Sequence, residues 1–263
     1  RLTVRAVDAY PVFINQRSEG LFDAPTFSSD DDPRRWSYGG PFSQIPSAII
    51  AVIKTDDGIT GFGMGAGGSV ATEIIRGHLR HLLVGANPLN VEQLWDQMYS
   101  SALFYGRRGL FTMALSAVDN ALWDIAGKAA GLPLYKMLGG AHRNEIPAYA
   151  SLLKYEDPDV CARLTEEALG RGYRFIKLHE NTIEPVAATR AAGGDQLPIM
   201  LDVNCSWSPH QARTMVESLA PYNLHWLEEP LWPPENFEAL AQLRAESGIP
   251  IAAGENACTA WQF

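Results

Sequence analysis

Four polar clusters end short apolar runs in the second half of the chain. They are Lys177-Leu178-His179, Asp202-Val203-Asn204, Glu228-Glu229-Pro230 and Gly254-Glu255-Asn256. Lys177, Asp202, Glu228 and Glu255 fall 25, 26 and 27 residues apart. Three of the clusters carry a carboxylate, the donor a hard divalent cation requires. The fourth offers a lysine cation and a histidine, a competent base near neutral pH. Each residue alone has a plainer reading. An Asp at a strand end is commonly a cap, a Glu-Glu pair a solvated face, a His a hydrogen-bonded core residue. The joint spacing points to chemistry, because unpaired Lys and Glu are rarely buried.

Side chains alternate across a strand. Lys177 and His179 therefore share a face, as do Asp202 and Asn204, while only one of Glu228 and Glu229 can face the site. Neighbouring strands lie about 4.8 Å apart. Carboxylates from three consecutive strands, Asp202, Glu228 and Glu255, can then converge on one magnesium ion at about 2.1 Å.

The elements that must position these groups alternate regularly. Apolar runs at 146–151, 175–179, 199–204, 225–228 and 251–255 read as strands. Asp157-Pro158 opens one helix, and Ser208-Pro209-His210-Gln211 opens another as a capping box with proline at the first turn. Further helices are expected at 185–192 and 236–247, the latter closed by Gly248. Strands and helices in this alternation predict a parallel sheet with right-handed crossovers. The fold class is α/β, a (β/α) TIM-type barrel with its site at the carboxyl ends of the strands. An eight-stranded barrel would need about 80 residues more, so the intact protein is expected to continue past Phe263.

The first half differs. Residues 1–12 and 47–62 read as strands, and in the latter Ser47–Lys54 and Ile59–Phe62 flank a hairpin turn at Thr55-Asp56-Asp57-Gly58. Residues 15–46, with Arg17, Arg34 and Arg35, read as a functional lid loop. The glycines at 61–68 invite a nucleotide-loop reading, but the preceding strand belongs to a hairpin, so a flexible loop approaching a ligand is expected. Asn90-Val91-Glu92-Gln93 resembles a capping box, and His78 and His81 read as a solvated helix face. A long helix over 110–130 stripes Leu115, Val118, Leu122 and Ile125 on one side and stops at Gly131 and Pro133. Asp119 and Asp124, within it, read as structural. The turn Leu138-Gly139-Gly140-Ala141 is the expected domain boundary, and the alternation begins after it.

A net charge of −9 argues against nucleic acid as a partner. No apolar run approaches the roughly 20 residues that span a bilayer. Cys161, Cys205 and Cys258 show no metal or disulfide spacing and read as reduced, cytoplasmic thiols.

These clusters resemble the enolase superfamily, in its mandelate racemase and muconate lactonizing enzyme branch. Leu115 to Ile125 (LSAVDNALWDI), with Lys128, Gly131-Leu132-Pro133 and Leu138-Gly139-Gly140, looks like that family's domain-joining helix and turn. The resemblance implies an N-terminal α+β capping domain over 1–125 and a barrel domain over 126–263. It makes the segments at 15–46 and 61–68 substrate-covering loops. It also implies magnesium held by Asp202, Glu228 and Glu255, with Asn204 beside a small carboxylate substrate. A homo-oligomer is expected.

One departure stands out. The family's second strand commonly reads Lys-x-Lys, with the second lysine as base, and here it reads Lys177-x-His179. Either His179 or Lys177 could be the base, and Lys177 could instead hold the substrate carboxylate. The implied chemistry is proton abstraction α to a carboxylate through an ene-diolate, as in the handling of such acids by a Lys or His base with magnesium. Dehydration of a hydroxy acid such as an acid sugar is the leading expectation. Racemisation, epimerisation or cycloisomerisation is the alternative, and a non-catalytic metal or sugar-acid binder is the third.

Overall fold

The computed structural model describes residues 2–12, 48–257 and 259–263. The expected lid at 15–46 and Cys258 lie outside them. The chain folds as two compact units, one containing residues 2–12 and 48–144, the other 145–257. The expected division at 125/126 would cut a continuous helix, whereas the units separate at 144/145, just past the glycine turn.

In the first unit β1 (Val4–Val12), β2 (Ala48–Thr55) and β3 (Thr60–Ala66) form an antiparallel sheet in that order. Helices α1 (Gly68–Ile74), α2 (Arg80–Leu83), α3 (Val91–Ser101), α4 (Leu110–Ala130) and α5 (Leu134–Met137) follow. A π-helical turn, Ile75–Leu79, joins α1 to α2. The expected stripe of α4 is buried with Ile49 and Ile53 of β2, and Gly131 ends the helix in the left-handed conformation.

Three expectations in this unit are corrected. The glycines at 61–65 are in β3, not in a flexible loop. A Cβ on Gly61, Gly63 or Gly65 would stand 2.2, 1.9 or 2.7 Å from a carbonyl oxygen of α4. These glycines let the strand lie directly on the helix backbone. Asn90 precedes α3 without capping it; its Nδ2 donates to the Gln93 side chain. His78 is not a solvated face either. Its Nδ1 pairs with the Tyr105 hydroxyl and its Nε2 with Ser101 Oγ. Asp124 is structural as expected, accepting from Phe62 N–H and pairing with Lys128.

The second unit is a five-stranded parallel sheet, β4 (Ala150–Ser151), β5 (Ile176–Leu178), β6 (Ile199–Asp202), β7 (Trp226–Glu228) and β8 (Ile251–Ala252), paired in sequence order. Helices α6 (Pro158–Gly170), α7 (Ile183–Gly193), α8 (Pro209–Leu219) and α9 (Phe237–Glu246) link successive strands. This is the barrel-type α/β succession the spacing predicts. Asp157 caps α6 through Asp159 and Val160 N–H, and Ser208 and Gln211 form the complete capping box of α8. The strands are shorter than expected. Ile146 is 80% exposed and outside β4, and β8 ends before Gly254. Among the described residues no helix is long and apolar enough to cross a membrane.

Register divides the sheet into two faces. Ile176, Leu178, Ile199, Leu201 and Leu227 pair across strands and pack into the apolar core. The alternating positions, Lys177, Asp202, Trp226 and Glu228, fall on the opposite face.

Candidate active site

Asp202 and Glu228 are direct partners across β6 and β7, which brings two carboxylates to the same edge of the polar face. Lys177 stands between them. Its Nζ is 2.9 Å from Asp202 Oδ2 and donates to Glu228 Oε1 at 2.7 Å. The side chains of Lys177 and Asp202 are only 8% and 1% exposed, so this is a buried ion triad. Burial alone would depress the Lys177 ammonium. Its hydrogen bonds to Glu228 and Asp202, and their charge, outweigh that and raise its pKa.

Each remaining carboxylate oxygen of the triad has a fixed partner. Asp202 Oδ1 accepts from Asn204 N–H at 3.0 Å, and Glu228 Oε2 accepts from the Trp226 indole at 2.8 Å. Trp226 was not singled out from the sequence, although it lies two residues before Glu228 and so on its face.

His179 stands past the end of β5 and keeps the Lys177 side of the sheet. Its Nδ1 lies against the carbonyl of Leu152. A carbonyl only accepts, so Nδ1 carries the proton. Nε2 is left with the lone pair in the neutral ring, and it lies 3.5 Å from Asp202 Oδ2. Histidine, lysine and two carboxylates thus meet at one point.

Asn204 does not follow the strand alternation. β6 stops at Asp202, and Asn204 takes a left-handed conformation with φ 46°. Glu255 is not brought together with Asp202 and Glu228. It is exposed on the loop after β8. Among the described residues no three His, Cys, Asp or Glu side chains form a group that could hold a metal ion. The donor chemistry nevertheless suits one. Asp202 Oδ2 is buried, and it faces the Lys177 ammonium at 2.9 Å and His179 Nε2 at 3.5 Å. The two carboxylates already enclose a cation, and one or two carboxylates completed by water and substrate oxygens is a common magnesium environment.

Two further acidic residues are buried beside the site, Glu180, which the sequence did not single out, and Glu229, the second member of the Glu-Glu pair. Glu180, 1% exposed, accepts from Tyr155 N–H and Glu156 N–H at 2.7 and 3.2 Å. Burial raises its pKa, and those amides oppose the shift. Glu229, 4% exposed, accepts from Gly254 N–H and Glu255 N–H at 2.7 and 3.1 Å. Each also takes a thiol, Cys161 and Cys205 respectively. Burial pushes both thiols up to about 12, so they are unreactive packing groups.

Residues 35–139 match the mandelate racemase / muconate lactonizing enzyme N-terminal domain, and residues 160–263 match the enolase C-terminal domain-like family. A 3,6-anhydro-alpha-L-galactonate cycloisomerase of Streptomyces coelicolor is 36% identical over 228 residues, 82% of this chain and 62% of the relative. Arabinonate dehydratase of Saccharolobus solfataricus is 34% identical over 234 residues, 84% of this chain and 62% of the relative. The crystal structure of a racemase from Streptomyces coelicolor with bound magnesium aligns with a TM-score of 0.80 at 31% identity, covering 96% of this chain and 69% of that one. The chain spans 62% of the length of each of these two curated relatives. It belongs to the mandelate racemase/muconate lactonizing enzyme family of the enolase superfamily.

Proposed function

We propose that the protein is a magnesium-dependent lyase that removes the proton α to a carboxylate and dehydrates a hydroxy acid of the acid-sugar class. The observation that carries this reading is the meeting of His179 Nε2 with the Lys177–Asp202–Glu228 triad. A base with its lone pair free stands beside two carboxylates that enclose a positive charge. Asp202 and Glu228 would hold the metal, with Glu255 as the third carboxylate from the loop after β8. A divalent cation bound there supplies the charge that the two oxygens of an ene-diolate need.

The chain's own groups do the rest. His179 Nε2 takes the α-proton. Leu152 holds the ring so that this nitrogen, not Nδ1, faces the site. Lys177, 2.9 Å from Asp202 and 2.7 Å from Glu228, would serve as the cation for the substrate carboxylate. His179 is the base in this reading. Return of the α-proton from His179 to the β-hydroxyl lets the hydroxyl leave as water and gives an enol that ketonises to a 2-keto acid. Asn204, whose N–H donates to Asp202 Oδ1, would contact substrate. The free, buried thiols of Cys161 and Cys205 suit a reducing, cytoplasmic setting.

The relatives named for galactonate and arabinonate chemistry favour a sugar-acid substrate. Racemisation or cycloisomerisation shares the first half-reaction, and the magnesium-bound racemase and the cycloisomerase among the similar proteins favour it as the second reading. Incubating the full-length protein and magnesium with a panel of acid sugars separates the two. Formation of a 2-keto acid is expected. Exchange of the α-proton in deuterated water without any keto acid would support the racemase instead.

A further inference from the structure

Glu229 is the second carboxylate of the Glu228-Glu229 pair, and its position has no obvious purpose if Glu228 is the ligand. It is 4% exposed, yet its four side-chain donors are all neutral. Oε1 accepts from Gly254 N–H at 2.7 Å and Glu255 N–H at 3.1 Å. Oε2 accepts from Asn256 Nδ2 and Cys205 Sγ, both at 3.3 Å. Its main chain is equally occupied. Glu229 N–H donates to Ala252 O at 2.9 Å, and Glu229 O accepts from Cys205 N–H at 2.7 Å. One residue therefore ties together the turn after β6, the end of β7 and the loop after β8.

A buried charge with no cation is expensive, and a left-handed non-glycine backbone, φ 46° at Glu229, adds to the cost. Only a carboxylate accepts at both ends. A glutamine of the same shape could take the two amides but would set its own NH2 against the donors of Cys205 and Asn256. The same construction recurs at Glu180, one residue past His179. There a buried carboxylate takes two consecutive amides and a thiol and fixes the segment after β4, which presents Leu152 O to His179.

We propose that Glu229 is a positioning residue: by fastening Gly254, Glu255 and Asn256 to β7 and Cys205, it sets where Glu255 stands relative to Asp202 and Glu228. This rests on the reading of Asp202, Glu228 and Glu255 as metal carboxylates. Glu229 itself takes no part in binding metal.

Calorimetric titration of magnesium chloride into the full-length protein tests it, with wild type, E229Q, E255Q, E229Q/E255Q and D202N compared. E229Q should weaken magnesium binding roughly 10- to 100-fold, the usual cost of removing a ligand's support. In the E255Q background, adding E229Q should change affinity by less than about twofold. A purely structural role would instead give an additive loss. A change of less than about twofold from E229Q alone, with D202N still weakening binding, overturns the positioning role and leaves the metal reading standing. A wild type that binds no magnesium overturns both. Should E229Q fail to fold, amide hydrogen exchange of wild type decides. Protected N–H groups at Gly254 and Glu255 support the tether, and exchange at the free-loop rate at both overturns it.

Discussion

Replacing Lys177 with methionine removes the cation that Asp202 and Glu228 share while keeping most of the side-chain volume. The three side chains are 8%, 1% and 18% exposed, and the contacts are 2.9 and 2.7 Å. Breaking a buried pair by deleting one partner costs about 3–5 kcal/mol, because the partner charge stays behind. Here two like charges stay behind on adjacent strands, but Glu228 is partly exposed and keeps its Trp226 bond. The lower end, about 3 kcal/mol, is expected. At about 2–4 °C per kcal/mol that lowers Tm by about 6–12 °C. The assay is thermal unfolding of the full-length protein in EDTA. The folded pKa of Lys177 is raised above its ordinary 10.5. Its contribution is therefore fully present below about 10.5 and lost only as pH rises through the higher folded value, so the loss in K177M should be the same at pH 6 and pH 8. Added magnesium should stabilise the variant more than wild type, since it no longer competes with an ammonium. A K177M Tm within about 2 °C of wild type in EDTA, less than 1 kcal/mol on this scale, would refute the triad.

Other expectations follow from single contacts. Burial, with a further push from Glu92, raises Asp119 to about 6. A carboxyl with a raised folded pKa favours the folded state at low pH and penalises it once ionised. Asp119→Asn should therefore raise Tm at pH 8, with the gain shrinking as pH falls through 6 and vanishing below 4, the ordinary range of the group; thermal melts across pH check this. Gly63→Ala puts a Cβ 1.9 Å from Ala117 O and should cost at least about 3 kcal/mol by urea unfolding. Gly77→Ala, with nothing within 4 Å, should be neutral or stabilising by up to about 1 kcal/mol. Ser208→Ala removes the capping box of α8 and should lower stability by about 1 kcal/mol in the same assay.

The alternation of the second unit is legible because its signals are local. Asp157 and Ser208 announce helix starts within three residues, and each apolar run names its own strand. The polar face was also legible, since register follows from alternation once the strands are paired. Strand ends were not. Asn204, Cys205 and Glu229 adopt left-handed backbone just past β6 and β7, so period-two reasoning fails where the chemistry sits. Glu229 and Glu180 were read past because their donors lie 19–27 residues away, and nothing near them in sequence marks a buried carboxylate. The glycines of β3 misled for the same reason. Their need is set by the backbone of α4, 48 to 60 residues on. His78 gained partners from α3 and the segment after it, which a helical spacing count could not supply.

The most direct test follows the α-proton of an acid-sugar substrate by proton NMR in deuterated water, with the full-length protein and magnesium. Wild type should lose the α-proton signal with formation of a 2-keto acid. Changing His179 to alanine should abolish both, in a protein that still binds magnesium. Proton loss that persists in the His179→Ala protein, or wild type that neither exchanges nor turns over any acid sugar, would contradict the assignment of His179 beside the Lys177–Asp202–Glu228 triad as the proton-abstracting centre.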